Sequence, residues 1–124
     1  TIEQKLLTDV GLRTLSREDV KYVGDYSGNQ KQRDLSYHQG TIWPYLLGFY
    51  LVSYLKTYNY SSASINYVEE KMKSFEESIH SKNLKYIHEV FSSDLEEPNG
   101  CLLQAWSVAT ILETFYYLKN NNKS

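Results

Sequence analysis

Three stretches of the chain carry apolar residues at the spacing of an α-helix. The first, 43–58, is apolar around most of its circumference and has Pro44 near its start, where a first helical turn tolerates a missing N–H. The second begins at Ser61 or Ser62, either of which can cap it, and runs to about residue 81. Its single apolar stripe comprises Ile65, Val68, Met72, Phe75 and Ile79. The third is predicted over 103–118, with one face formed by Ala105, Val108, Ala109, Leu112, Phe115 and Tyr116.

The other stretches show little periodicity. Residues 1–39 are interrupted by glycines and by scattered Asp, Asn and Ser, so they are predicted to be mostly irregular, with a frayed helix end at 1–7. A loop of that length in a compact chain is usually functional. Residues 84–91 alternate weakly and are followed by turn-forming residues, which favours either a short strand or an extended loop.

The three predicted helices do not form a self-contained core. Two are apolar beyond a single stripe and one is apolar on one side only, as expected for the inner and outer helices of a two-layer helical barrel. The pattern therefore predicts an all-α fold, with a mostly irregular segment at 1–40 and three helices within 41–120. It also predicts that the chain belongs to a larger assembly or forms oligomers, with exposed apolar surface chiefly along the 43–58 helix.

Composition narrows the classes of partner. The chain has 124 residues, enough for one domain, and its 13 Lys and Arg against 15 Asp and Glu provide no basic surface for nucleic acid or an anionic membrane. No apolar run is long enough to span a bilayer. The single cysteine, Cys101, cannot form an intramolecular disulfide, which favours a reducing, cytoplasmic setting. Tyrosine is abundant, with 12 residues, and suits both ordinary packing and the stacking of sugars.

The sequence does not match the generic metal-binding, phosphate-binding or nucleophile motifs. His38, His80 and His88 lie far apart, and no cluster has the spacing of metal ligands, so neither a metal nor another cofactor is expected. The glycines are not followed by the Lys-Ser or Lys-Thr of a phosphate-binding loop. Cys101 is more readily explained as a packing residue than as a thiol nucleophile.

Four blocks of unusual local character follow one another along the chain. They are GLRTLS at 11–16, YHQGTIWPYLLG at 37–48, HEVF at 88–91 and GCLLQAWSVATIL at 100–112. At these blocks, and over about residues 6–118, the chain resembles the C-terminal part of the amylo-α-1,6-glucosidase catalytic domain of glycogen debranching enzymes. The YHQGTIWP run is long and specific, and the order of the other blocks agrees with the family.

The resemblance implies that residues 1–124 are the C-terminal segment of such a domain and supply the last helices of an α/α six-hairpin barrel, or toroid. It implies an inverting hydrolase that removes α-1,6-linked glucose at the branch points of glycogen or a limit dextrin. In such enzymes one carboxylic acid protonates the leaving oxygen and a second carboxylate activates water.

The family's general base is transferred by the resemblance to Glu89. A carboxylate in a loop between apolar elements can face a cleft and stay ionised, which suits that role. Where family members commonly carry Ser-Glu-Ile-Phe-Asp-Gly, residues 88–93 read His-Glu-Val-Phe-Ser-Ser, so the loop after the glutamate differs. The acid lies upstream in the family, so the isolated chain is expected to be inactive and to work with the upstream part of the same domain.

Six further residues are predicted to bind substrate: Arg13, Tyr37, His38, Trp43, Gln104 and Trp106. Trp43 and Trp106 could stack on sugar faces or belong to the helical core. Arg13 and His38 could donate to glucose hydroxyls or hold the N-terminal loop in place. Gln104 begins an otherwise apolar helix, where a buried hydrogen bond is expected on either interpretation.

A second class of function stays open. The alternative is a non-catalytic helical module that binds carbohydrate or another protein. The length of the natural gene product upstream of Thr1 discriminates between the two, because the enzyme requires a second carboxylate there.

Overall fold

A computed structural model describes residues 1–121 of the chain. Its helices are α1 (Ile2–Lys5), α2 (Gln30–Tyr37), α3 (Pro44–Thr57), α4 (Ser62–Ser81) and α5 (Ala105–Asn121). Its strands are β1 (Leu7–Thr8), β2 (Gly11–Arg13), β3 (Ile42–Trp43), β4 (Val90–Phe91) and β5 (Pro98–Asn99). The domain assignment of 1–124 includes residues 122–124, which lie outside the described part.

The two helices α3 and α4 begin where the sequence provides a start signal. Pro44 occupies the first turn of α3, where its missing N–H leaves no hydrogen bond unmade. The Ser61 side chain accepts a hydrogen bond from the Ser64 N–H at 3.3 Å and so caps α4. Every residue of the predicted α4 stripe is buried. The stripe packs into one apolar core with Leu47, Leu51 and Leu55 of α3.

A five-stranded antiparallel sheet, in the order β1-β2-β3-β4-β5, makes the fold mixed α/β. The all-α prediction is therefore wrong, although 52% of the described residues are helical. Each strand is only two or three residues long, too short for the alternating pattern that marks a strand in sequence. The sheet is assembled by long-range pairs such as Leu12 with Trp43 and Ile42 with Phe91.

The N-terminal segment also holds more regular structure than its composition indicates. Besides β1 and β2, it contains α2, in which Asn29 and Gln32 form a reciprocal capping box. Only Ser36 of this helix is buried, so its sequence has no apolar stripe that would have revealed it. Capping chemistry and its connection to β3 hold α2 in place.

Helix α5 packs against α3 with the face opposite to the predicted one, which carries its large apolar residues. Its buried residues are Ser107, Thr110, Ile111, Thr114 and Leu118. The reason is a close approach to α3, where a Cβ on Gly48 would lie 2.6 Å from the backbone of Thr110. The Thr114 hydroxyl donates to the Gly48 carbonyl oxygen at 3.4 Å across the same contact. Small side chains on both helices permit this distance, and larger ones would separate the helices.

The large apolar residues of α5 consequently face outward. Exposed ones at its start and along it are Leu102, Leu103, Trp106, Leu112, Phe115 and Tyr116. The prediction that exposed apolar surface lies chiefly along the 43–58 helix is thus wrong, because α3 is largely covered by α4, α5 and the sheet. Among residues 1–121, no helix combines the length and apolar character needed to cross a membrane.

Candidate active site

Glu89 lies one residue before β4 and is held through its backbone and both carboxylate oxygens. Its N–H donates to the Cys101 carbonyl oxygen at 2.9 Å. The Tyr37 hydroxyl donates to Oε1, and the Cys101 N–H donates to Oε2 at 2.9 Å. The residue is only partly buried, so solvent reaches it. The structure thus presents one oriented carboxylate with one protein donor on each oxygen.

The Cys101 N–H reaches the carboxylate because the chain turns at Gly100. Gly100 has φ +69°, a left-handed conformation that favours glycine. A Cβ at this position would lie 2.6 Å from Oε2 of Glu89, well inside van der Waals contact. Sequence reasoning did not assign Gly100 or the Cys101 backbone to the site. The Asn99-Gly100 dipeptide is a turn signal, but it does not reveal which side chain the turn meets.

Tyr37 ends α2 and is fixed by its aromatic neighbours. Its ring lies edge-on to Trp43 with 4.6 Å between the ring centroids. The Trp43 indole N–H donates to the Tyr37 carbonyl oxygen at 2.9 Å. Burial, and then the hydrogen bond to Glu89, raises the pKa of Tyr37 well above its ordinary value. The phenol therefore remains a proton donor to the carboxylate throughout the physiological pH range.

The aromatic contacts continue from Trp43 in two directions. The exposed ring of His38 stacks parallel to Trp43 at 6.1 Å. On the other side Tyr45 meets Trp43 edge-on at 5.4 Å and stacks on Trp106 at 4.4 Å. Trp43 itself is 7% exposed, whereas Trp106 is 55% exposed. Of the two tryptophans, Trp106 thus has the ring face that is open to a ligand in this chain.

Arg13 and Gln104 make contacts away from the carboxylate. The Arg13 Nε donates to the Ser93 hydroxyl at 2.7 Å, which ties β2 to the loop after β4. Gln104 is bound through its backbone, with its N–H donating to the Ile87 carbonyl oxygen at 3.1 Å. No hydrogen bond of the Gln104 side chain is found within residues 1–121. Both residues therefore border the site rather than contact Glu89.

The serines that follow β4 are anchored, although they differ from the usual family residues. Ser92 and Ser93 are both buried. The Ser92 hydroxyl accepts from the Tyr26 N–H at 3.2 Å and from Asn99 Nδ2 at 3.0 Å. The Ser93 N–H donates to the Gly24 carbonyl oxygen at 2.7 Å. The altered loop is thus joined to the N-terminal segment and to β5.

The described residues contain no group of three or more His, Cys, Asp or Glu side chains that could hold a metal ion. Cys101 is exposed. His88 is partly buried, and its Nδ1 has no hydrogen-bond partner in the described part of the chain. Burial lowers the pKa of His88 below its ordinary value, so the ring is neutral near pH 7.

A solvent-reached carboxylate beside aromatic rings is an arrangement suited to chemistry on sugars. The family model described as amylo-alpha-1,6-glucosidase matches residues 1–113. The protein is accordingly related to glycoside hydrolases. The chain belongs to the amylo-α-1,6-glucosidase family and corresponds to the C-terminal region of glycogen debranching enzymes, which confirms the resemblance seen in its sequence blocks.

Proposed function

We propose that this chain supplies the general base, Glu89, of an inverting glucosidase that hydrolyses α-1,6-linked glucose at the branch points of glycogen or a limit dextrin. The observation that carries the proposal is the Glu89 carboxylate, which is partly exposed and oriented by one donor on each oxygen. Family membership supports the class of substrate, a branched α-glucan.

The proposed chemistry needs a free lone pair on the base. Each carboxylate oxygen can accept about two hydrogen bonds, and the Tyr37 hydroxyl and the Cys101 N–H occupy one on each. A water can therefore donate to Glu89 while its oxygen attacks the anomeric carbon. Glu89 takes the proton of that water, and a carboxylic acid in the upstream part of the same domain protonates the leaving oxygen.

The upstream acid must stand roughly 6.5–9.5 Å from Glu89 to leave room for the water. Residues 1–121 alone are therefore expected to release no glucose. We place Trp43, Trp106, His38, Arg13 and Gln104 in or around the wall that binds the glucan, with the exposed Trp106 as the stacking residue. A cytoplasmic setting stays a prediction.

The test is Glu89→Gln in the full-length enzyme, which retains shape and hydrogen bonding but removes basicity. Loss of a general base lowers turnover by about 10² to 10⁴. The dissociation constant for a branched oligosaccharide should change little, because the amide still fills the same space. Glu97→Gln is the matched control, since Glu97 is an exposed carboxylate in the neighbouring β4–β5 segment. Near wild-type glucose release by Glu89→Gln would remove Glu89 from the mechanism.

A second candidate is a carbohydrate-binding module without catalysis. The stacked Tyr45 and exposed Trp106 favour it, because such a pair offers a flat apolar face to a sugar ring. This function predicts that Trp106→Ala weakens glucan binding while Glu89→Gln leaves every measured activity unchanged. The glucosidase predicts a loss of turnover in Glu89→Gln. Trp106→Ala weakens binding under both candidates, so Glu89→Gln is the variant that separates them.

A further inference from the structure

We propose that Tyr37 is a positioning residue for the general base: its hydroxyl, together with the Cys101 N–H, fixes the plane of the Glu89 carboxylate. The proposal rests on the function assigned above to Glu89. It gives Tyr37 a role that is exerted through the base and does not require contact with the sugar.

The first support is the pairing itself. Tyr37 Oη and Cys101 N donate to different oxygens of one carboxylate, so the two bonds together restrict rotation of the group about its last side-chain torsion. A single donor would hold only one of the two oxygens.

The second support is that Tyr37 is itself immobilised. Its ring is packed edge-on against Trp43, and its carbonyl oxygen accepts from the Trp43 indole N–H. Trp43 in turn lies in β3, which pairs with both β2 and β4. The donor is thus packed against the same sheet that contains β4, the strand directly after Glu89. This shared sheet holds Tyr37 and Glu89 next to each other.

The third support is that the Tyr37 phenol keeps its proton. The pKa of Tyr37 is raised, so the phenol does not titrate in the range where the carboxylate works. A hydroxyl that stays protonated is a constant donor, and it does not compete with Glu89 for the proton of the attacking water. The arrangement separates the group that accepts the proton from the group that orients the acceptor.

The test is Tyr37→Phe in the full-length enzyme, measured as turnover and KM for a branched oligosaccharide. Turnover at neutral pH should fall about 10- to 100-fold, with KM changed less than about threefold. A residue that only packs would lower the Tm without this selective loss of turnover.

Tyr26→Phe is the matched control. The Tyr26 ring lies 5.7 Å from that of Tyr37, but its hydroxyl makes no hydrogen bond within residues 1–121. Removing that oxygen should leave turnover unchanged. In a second measurement, 3-fluorotyrosine at position 37 retains both the ring and the donor, so turnover should stay near the wild-type value.

The double variant, which combines Tyr37→Phe with Glu89→Gln, shows whether Tyr37 affects turnover through Glu89. If Tyr37 acts through Glu89, the pair should be no slower than Glu89→Gln alone. Unchanged turnover in folded Tyr37→Phe, or an additive loss in the double variant, overturns the inference. If Glu89→Gln itself retains turnover, the proposed function fails first, and the two failures are thereby distinguished.

Discussion

Replacing Gly100 by alanine should displace the candidate base, Glu89, while leaving that residue itself unsubstituted. The added Cβ would lie 2.6 Å from Oε2 of Glu89, whereas carbon–oxygen contacts ordinarily begin about 1 Å farther out. The carboxylate is the flexible partner in this clash, so it should swing away and lose the 2.9 Å hydrogen bond from the Cys101 N–H. The expected result is a displaced base in an otherwise intact fold.

Gly100→Ala should have two effects that can be measured separately, one on stability and one on turnover. Alanine at φ +69° costs roughly 1–2 kcal/mol of folding free energy, because the left-handed conformation crowds a Cβ. A displacement of about 1 Å at a catalytic group can lower turnover by about 10²-fold. Stability and turnover should therefore fall together in Gly100→Ala, with a Tm decrease of about 3–10 °C.

Gly28→Ala is the control that isolates the effect on turnover from the effect on stability. Gly28 also has a positive φ, of +82°, and its new Cβ would meet the flexible Gln32 side chain, which caps α2 at the end opposite to Tyr37. It should lose similar stability but keep its turnover in the full-length enzyme. Thermal unfolding and glucose release from a branched limit dextrin measure the two quantities. Equal turnover in the two alanine variants would refute the argument that Gly100 makes room for the carboxylate.

Two other predictions concern the fold around the site. Gly48→Ala should lower the urea midpoint, because a Cβ placed 2.6 Å from the Thr110 backbone overpacks the α3–α5 contact. Overpacking costs about 1–3 kcal/mol, which exceeds the gain of about 1 kcal/mol from the higher helix propensity of alanine. The control, Ser53→Ala, lies at an exposed position and should change the midpoint little. Burial lowers the pKa of His88, so its contribution to the stability of the fold should depend on pH. That contribution should be fully present above about pH 6.5, where the histidine of the unfolded chain is also neutral, and should be lost as the pH falls through the lowered pKa. Urea midpoints from pH 5 to pH 8 should show this slope in the native chain and less of it in His88→Leu; equal slopes would contradict the assignment.

The parts of the fold that the sequence predicts are those built from local periodicity. The α4 stripe recurs every three or four residues, so its buried face could be derived from spacing alone. Pro44 and Ser61 mark helix starts by their own chemistry. The four ordered blocks identify the family, since a long specific run carries more information than any short motif. The role of Glu89, which the resemblance implies, stays a prediction.

The remainder depends on contacts between distant residues, which only the tertiary structure decides. The sheet consists of two- and three-residue strands, too short to show an alternating pattern, and its β2–β3 and β3–β4 pairings join residues that lie far apart along the chain. Helix α5 buries its hydroxyl face because Gly48 allows a close approach, and this overrides its apolar stripe. Tyr37 meets Glu89 across 52 residues, and only the folded chain brings that phenol to that carboxylate.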